Sequence, residues 1–525
     1  MADTFPVNDN IRLAFAKMRN VEFKLPGGPM SQEIREYEML IDGEFSPSST
    51  GETSQSLCPA DQSVIARFPR AGSEDVERAV QAARTAFEST DWGNTRNSVE
   101  RGRLLREVGK RIRDNLDHFA EIEALDSGKT ITETHLIDVH TAADTFEYFA
   151  DLATQIYGEV LPVPAEALDL ALREPLGVCG AIAAWNFPIM FTAWKIAPAL
   201  AAGNTTVFKP AELTSMSALE MAKIFQEVQI PPGVVNIVTG AGSKIGHYLA
   251  EHRDVAKISF TGSTEVGRKI LAAAGSNVKK TTLELGGKSP NIVFPDANLA
   301  NAISGAMTAI FYNAGECCIA GSRLFLHEDI YDDFIEQMVE RTQKIKVGHP
   351  LDWDSRMGPL VTPQHRTRVL SYVDWAKNNG LKLLCGGKIP DDPELAQGNY
   401  LEPTIFSAES NDLKICQEEV FGPVLSVLKF SDEAEVIQMA NDSIYGLAAA
   451  VWTSDIKRAL RMAKKIKAGQ VWINQYMLVS PFAPHGGFKQ SGYGKDLSKY
   501  CLEEYTQVKN IYIDLSEDEF LNLYD

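Results

Sequence analysis

Two adjacent cysteines, Cys317 and Cys318, follow a Gly315-Glu316 pair and precede the small residues Ala320, Gly321 and Ser322. A thiol in such a stretch could attack a carbonyl carbon and later leave from it. Residues 311–323 read equally well as packing, because free Cys is among the most buried residue types. A possible general base is Glu284, in Thr281-Thr-Leu-Glu284-Leu-Gly286-Gly287, where the double glycine loosens the backbone. Period-2 alternation would also allow Glu284 on a solvent face. Asn186, in Trp185-Asn186-Phe187-Pro188, is either a rigid amide donor beyond a strand end or a turn residue. Lys209 and Glu212 could bracket a polyol such as a ribose, or form a solvated pair. Two Gly-rich turns contain Gly240, Gly242 and Gly246, then Gly262, Ser263 and Gly267. Neither is G-x-G-x-x-G, but each joins a strand-like run to a helix-like one, and a helix N-terminus suits a pyrophosphate. Glu419 and Phe421 precede a Gly-Pro break and by themselves read as a loop.

These positions need elements to hold them. Residues 73–90, 98–126 and 132–157 carry helical periodicity, with Ser73 expected to cap the first. Residues 159–175 contain Pro162 and Pro164 and predict an exposed strand pair. Apolar runs at 178–184, 205–208, 234–238, 255–260 and 291–293 then alternate with helical segments such as 214–227 and 243–252. The alternation resumes through 323–327, 334–345, 365–379 and 424–430. Such βαβ order predicts parallel sheets covered by helices, in two α/β domains. Residues 506–514 predict one more strand before an acidic tail, and residues 1–35 an extension ending in a Pro-Gly-Gly-Pro turn.

The 525 residues carry a net charge of −19 and 44% hydrophobic content, which fits a large globular protein without a nucleic-acid-binding basic face. Seven cysteines, odd in number and irregularly spaced, predict neither a disulfide framework nor a metal site, and point to a reducing compartment. No apolar run reaches the length of a membrane span. A cytoplasmic protein is expected.

Taken in series, Trp-Asn-Phe-Pro, Lys-Pro-Ala-Glu, Phe-Thr-Gly-Ser, Leu-Glu-Leu-Gly-Gly-Lys-Ser-Pro, Asn-x-Gly-x-Cys-Cys, Glu-Glu-Val-Phe-Gly-Pro and Gly-Gly-Phe-Lys-Gln-Ser-Gly resemble the aldehyde dehydrogenase superfamily over residues 37–514. The resemblance implies an α/β fold: a Rossmann-like NAD-binding domain (36–157 and 176–287), an α/β catalytic domain (288–490) and a small β oligomerisation flap with the C-terminal tail (158–175 and 491–525). It implies that Cys318 is the nucleophile and Glu284 the base that activates water. The Asn186 side chain and the Cys318 backbone N–H would form the oxyanion hole, and Lys195 would serve a proton relay. NAD would lie along Trp185, Lys209, Glu212, Gly242, Gly246, Gly262, Ser263, Glu419 and Phe421. Glu212 would repel a 2′-phosphate and so favour NAD over NADP. The reaction implied is oxidation of an aldehyde to the acid through a thiohemiacetal and a thioester. A homo-oligomer is implied, a dimer or a homotetramer.

The resemblance places Phe187, Phe191, Trp194, Tyr312, Val479 and His485 in the expected substrate wall. The stretches around Met477 and Ser491 resemble bacterial aminobutyraldehyde and betaine-aldehyde relatives. The rings could hold a cationic aminoaldehyde, or an aromatic or medium-chain aldehyde by burial alone. A catalytically silent relative with a binding or structural role is the alternative of a different class. The pattern departs from the superfamily at three positions. Glu316 stands where Gln is usual, Asp496 where a longer Glu serves the relay with Lys195, and Cys501 where Gly is usual.

Overall fold

The computed structural model describes residues 34–517 and 523–524. The expected N-terminal extension and its Pro-Gly-Gly-Pro turn lie outside the described residues.

Two sheets dominate the unit that begins at Arg35. The first has eight strands in the order Gly492–Tyr493, Lys280–Glu284, Lys257–Thr261, Val178–Ile182, Thr205–Lys209, Val235–Ile237, Met39–Ile41 and Glu44–Ser46. Its five central strands are parallel and its outer pairings antiparallel. The runs are apolar because helices cover both faces. All five residues of Val178–Ile182, Thr205–Lys209 and Lys257–Thr261 are buried. Registered pairing brings the carboxyl ends of the parallel strands to one edge, where Thr261 lies opposite Glu284 and Ile182 opposite Lys209. Ligands of open α/β sheets bind at that edge.

The second sheet runs Lys382–Cys385, Thr404–Ser407, Val424–Phe430, Arg323–His327, Pro290–Val293, Ala448–Trp452 and Gln470–Ile473, parallel except for its first strand. A separate antiparallel sheet joins Glu159–Leu161, Ala167–Pro175 and Thr506–Asp514. Within 491–525 the chain divides. Gly492–Tyr493 pairs with the strand that carries Glu284, whereas Thr506–Asp514 pairs with Ala167–Pro175.

The helix Pro188–Ala201 is buried along its whole length. Pro188 opens it at a position where the missing N–H costs nothing. Glu123 accepts from the Ile189 N–H. Side chains such as Ile189, Ile196 and Leu200 each contribute about 1.5–3 kcal/mol by burial.

Helix bounds differ locally from expectation. Residues 98–126 break at Asn115 into Ser98–Asp114 and Leu116–Ser127. The predicted 132–157 helix starts at Ile131, passes through a π-turn at Thr134–Asp138, and ends at Leu152. Ser73 is the first helical residue rather than the cap; Gly72 holds that position and donates its N–H to Asp75 Oδ2 at 2.9 Å. The short-range reason is that an acidic N3 residue can close on a backbone donor whatever residue precedes it.

Candidate active site

The cysteine stretch takes its shape from an unusual turn. After the helix Leu299–Phe311, three successive residues have left-handed backbones: Asn313 (φ 50), Ala314 (φ 49) and Gly315 (φ 74). Only Gly adopts this conformation freely, so the other two need support. Glu133 Oε1 accepts from the Asn313 N–H at 2.8 Å. The Asn313 amide donates to the carbonyls of Asn186 (3.1 Å) and Glu316 (3.0 Å). Gly315 packs so closely on the Gly422 carbonyl that a Cβ would lie 2.2 Å from its oxygen.

The turn delivers Cys318 to a neck between two cavities. Of the seven cysteines, only Cys318 is not fully buried. On one side lies a cleft lined by Trp185, Asn186, Thr261, Gly262, Ser263, Glu284, Gly286, His365, Arg368, Glu419 and Phe421. On the other lies an apolar tunnel lined by Ile137, Thr141, Phe187, Met190, Phe191, Trp194, Tyr312, Met477, Val479 and His485. Cys318 lines both; Cys317 lines only the tunnel. The Cys318 thiol is held well above its ordinary range, first by the hydrogen bond with Cys317 and then by burial, while His485 opposes the rise.

Asn186 lies beyond the strand Val178–Ile182, and its Nδ2 donates to the Glu316 carbonyl at 2.9 Å. One of its two amide protons fixes the side chain; an amide has a second to offer. Glu284 ends its strand buried, not on a solvent face. Neither of its carboxyl oxygens has a partner among the described residues. Burial, then Asp496, push it well above the carboxylate range, with Lys195 opposing. Asp496, despite its shorter side chain, reaches Lys195 Nζ at 2.6 Å in a fully buried pair. Cys501 is buried beside this group, near Asp496 and Lys257.

The remaining expected residues line the cleft or flank Lys209. Glu419 Oε1 accepts from the Gly287 N–H at 2.9 Å, and burial pushes its carboxyl to about 7. Phe421 has a left-handed backbone (φ 62), and its carbonyl accepts from His365 Nε2 at 2.7 Å. The rings of Trp185, His365 and Phe421 meet edge to face at 5.3–6.0 Å. Lys209 is buried and brought down to about 8 by that burial, with Glu212 opposing. A Cβ on Gly242 or Gly246 would meet little beyond the Lys209 side chain and, at Gly246, Ile182. These bare glycines leave a flat ledge. Glu212 Oε1 is held by Ser54 Oγ (2.8 Å) and Arg70 Nε (3.1 Å).

Ser54, Arg70, His365, Arg368, Met190 and Met477 were not anticipated. No turn signature or double glycine marks them, and His365 sits inside an ordinary helical run. In the tunnel, Phe187 stacks on Tyr312 at 5.9 Å. Lys129, which does not line the tunnel, sits 3.6 Å from the Phe187 ring centre and pairs with Asp138. The cleft thus suits a long ligand with a ribose and a flat ring, and the tunnel an apolar one. A thiol and a buried carboxyl stand where the two meet.

Comparison with known proteins agrees with this arrangement. Residues 45–511 match the aldehyde dehydrogenase family. A betaine aldehyde dehydrogenase of Bacillus subtilis is 46% identical over 476 residues, covering 90% of this chain and 96% of that protein. An aldehyde dehydrogenase of Emericella nidulans is 45% identical, covering 92% and 96%. The crystal structure of PnpE in complex with nicotinamide adenine dinucleotide superposes with a TM-score of 0.90 at 46% identity, covering 92% and 98%. A betaine aldehyde dehydrogenase point mutant from Staphylococcus aureus, in complex with NAD+ and with a BME-modified cysteine, superposes at 0.91 with 40% identity, covering 93% and 98%.

Proposed function

The chain belongs to the aldehyde dehydrogenase family, and from that premise we propose how its own residues carry out NAD-dependent oxidation of an aldehyde. The observation that carries the proposal is Cys318, the one cysteine not fully buried, at the neck between cleft and tunnel beside Glu284.

The cleft fits NAD. Glu419 and Phe421 would hold the nicotinamide ribose and ring. Trp185, Gly262 and Ser263 would line the cofactor, Gly242 and Gly246 would offer the ledge over Lys209, and Lys209 with Glu212 would hold the adenosine ribose. When bound, the nicotinamide supplies the two-electron acceptor. The thiolate of Cys318 attacks the aldehyde carbon, and the oxyanion that forms accepts from the free Asn186 amide proton and the Cys318 N–H. Loss of one such donor costs about 10²–10³ in rate. Oxidation leaves a thioester on Cys318. Glu284, once deprotonated, takes a proton from water, which attacks the thioester and releases the acid. The Lys195–Asp496 pair at 2.6 Å gives Glu284 a charged neighbour through which its proton can pass.

For the substrate, the tunnel lining supports an uncharged aromatic or medium-chain aldehyde. It contains no carboxylate, and the Phe187 ring already faces the Lys129 ammonium. A cationic aldehyde would lose its water shell with no opposite charge to replace it. The second reading, a cationic aldehyde, is favoured by the aromatic lining and by the betaine aldehyde dehydrogenase relative. A homo-oligomer is supported by the exposed edge strand Thr506–Asp514, and the seven unpaired cysteines suit the cytoplasm.

The test is NADH formation with NAD and a panel of aromatic, aliphatic, amino and trimethylammonium aldehydes, in the wild type and in Glu284→Gln. We expect highest kcat/KM for uncharged aldehydes, and a single NADH burst followed by a stall in the variant. Steady wild-type turnover in Glu284→Gln would overturn the hydrolytic role, and absence of NADH from every aldehyde the activity itself.

A further inference from the structure

Resting on that reading, we propose that His485 is a further catalytic residue: its imidazole takes the proton of the Cys318 thiol, leaving Glu284 the hydrolytic half of the reaction alone. The two candidate bases stand on opposite sides of the nucleophile. Glu284 lines the cleft and not the tunnel, His485 lines the tunnel and not the cleft, and Cys318 lines both. His485 and Cys318 share the tunnel wall, and the imidazole lowers the thiol against the rise that Cys317 and burial cause. Its Nδ1 is buried with no hydrogen-bond partner among the described residues.

The ring is also held in place. The His485 N–H donates to the Asp496 carbonyl, and the Asp496 N–H to the His485 carbonyl, both at 2.8 Å. Asp496 is tied through its side chain to Lys195, and the neighbouring Trp194 packs its indole 5.2 Å from the imidazole. Backbone on one side and a buried helix on the other leave the imidazole little freedom, which is the pre-organisation a base requires. The charged or titratable groups facing this pair are Cys317, Glu284 and Tyr476 at the thiol and Asp496 at the imidazole's backbone, while Lys195 and Lys495 face Glu284.

Glu284 is poorly suited to the first proton transfer. Burial, then Asp496, raise its carboxyl well above the carboxylate range, so it holds its own proton firmly and is the less ready acceptor for the thiol proton. Its carboxyl rests against Gly486, where a Cβ would lie 2.5 Å from Oε1. A Cys–His pair is a recurrent way to obtain a reactive thiolate. In the cycle, the proton moves from Cys318 Sγ to the imidazole as the C–S bond forms. Bound NAD would accept the aldehyde hydrogen with its electron pair. Glu284, its own proton first passed on through the Lys195–Asp496 pair, takes a proton from the attacking water. When the C–S bond breaks, its electron pair stays on sulfur, and the imidazolium returns its proton to that thiolate.

The test is iodoacetamide alkylation of Cys318 in NAD-free enzyme as a function of pH, followed on the Cys318 peptide by mass spectrometry, in wild type, His485→Phe and His485→Asn. NAD binding by each variant reports that it is folded. We expect the midpoint to rise by about one pH unit or more in both variants, which is about a tenfold loss of thiolate near neutrality, and the NADH burst to slow accordingly. Added imidazole should restore the burst rate of His485→Ala. An unshifted midpoint in both His485→Phe and His485→Asn would overturn the proposal. Because no aldehyde is needed, that result would be distinct from failure of the dehydrogenase reading.

Discussion

At the residue scale, Glu316 raises the question of whether a carboxyl two residues from the nucleophile carries a charge. Its Oε1 accepts from the Val361 N–H at 3.0 Å and lies 3.5 Å from His365 Nε2. Burial pushes Glu316 well above the carboxylate range and burial brings His365 down to about 4. Burial thus disfavours the charged form of each group, which suits Glu316 to the place of a neutral glutamine. Glu316→Gln should leave the pH midpoint of Cys318 alkylation unmoved; a downward shift would mean that Glu316 is ionised. Glu284 has the opposite consequence for rate. Its carboxyl is raised above the ordinary value of about 4.3, and only the deprotonated form can act as a base. Deacylation should climb as pH rises through that raised value and fall away below it. Single-turnover decay of the thioester across pH measures this, and Glu284→Gln should flatten the profile.

At the element scale, the left-handed turn Asn313-Ala314-Gly315 is the device that aims Cys318. It is built from three sources: Glu133 from the segment after Ser127, the Asn186 carbonyl from the first sheet's edge, and the Gly422 carbonyl beside Phe421. The nucleophile and the ring expected over the nicotinamide are therefore packed on one another through backbone. Gly315→Ala would put a Cβ at φ 74 and 2.2 Å from the Gly422 oxygen. An ångström of misplacement at a reacting centre costs about 10²-fold, so we expect kcat to fall by about that factor and the KM for NAD to rise with it. A change in kcat with an unaltered KM for NAD would show that the two backbones move independently.

At the scale of the whole molecule, the antiparallel sheet offers its long edge strand outward. Val508, Tyr512 and Leu515 are more than half exposed, and an exposed apolar edge is a template for another chain. Val508→Asp combined with Tyr512→Asp should reduce the mass measured by light scattering by at least half, while helix content is retained. An unchanged mass would place the contact between copies elsewhere.

The sequence by itself determined the family and singled out the thiol, carboxyl and amide that the fold brings to one cleft, because each chemical demand falls on a short local motif. A thiol, a carboxyl and an amide must sit at strand ends or tight turns, and Gly, Pro and polar residues mark those places. Strand and helix alternation was legible for the same reason: burial on both faces leaves continuous apolar runs. What only the tertiary structure decided is what each residue faces. Glu284 lies in a strand whose pattern allows solvent, but the covered sheet buries it. Asp496 is short by one methylene, yet the buried helix brings Lys195 to it. Arg70 and Ser54 hold Glu212 from more than 140 residues away in sequence, His365 comes to the cleft from an ordinary helix, and His485 joins Cys318 on the tunnel wall where a hairpin-like bridge and Trp194 fix it. Such contacts depend on the packing of distant elements, and no local spacing records them.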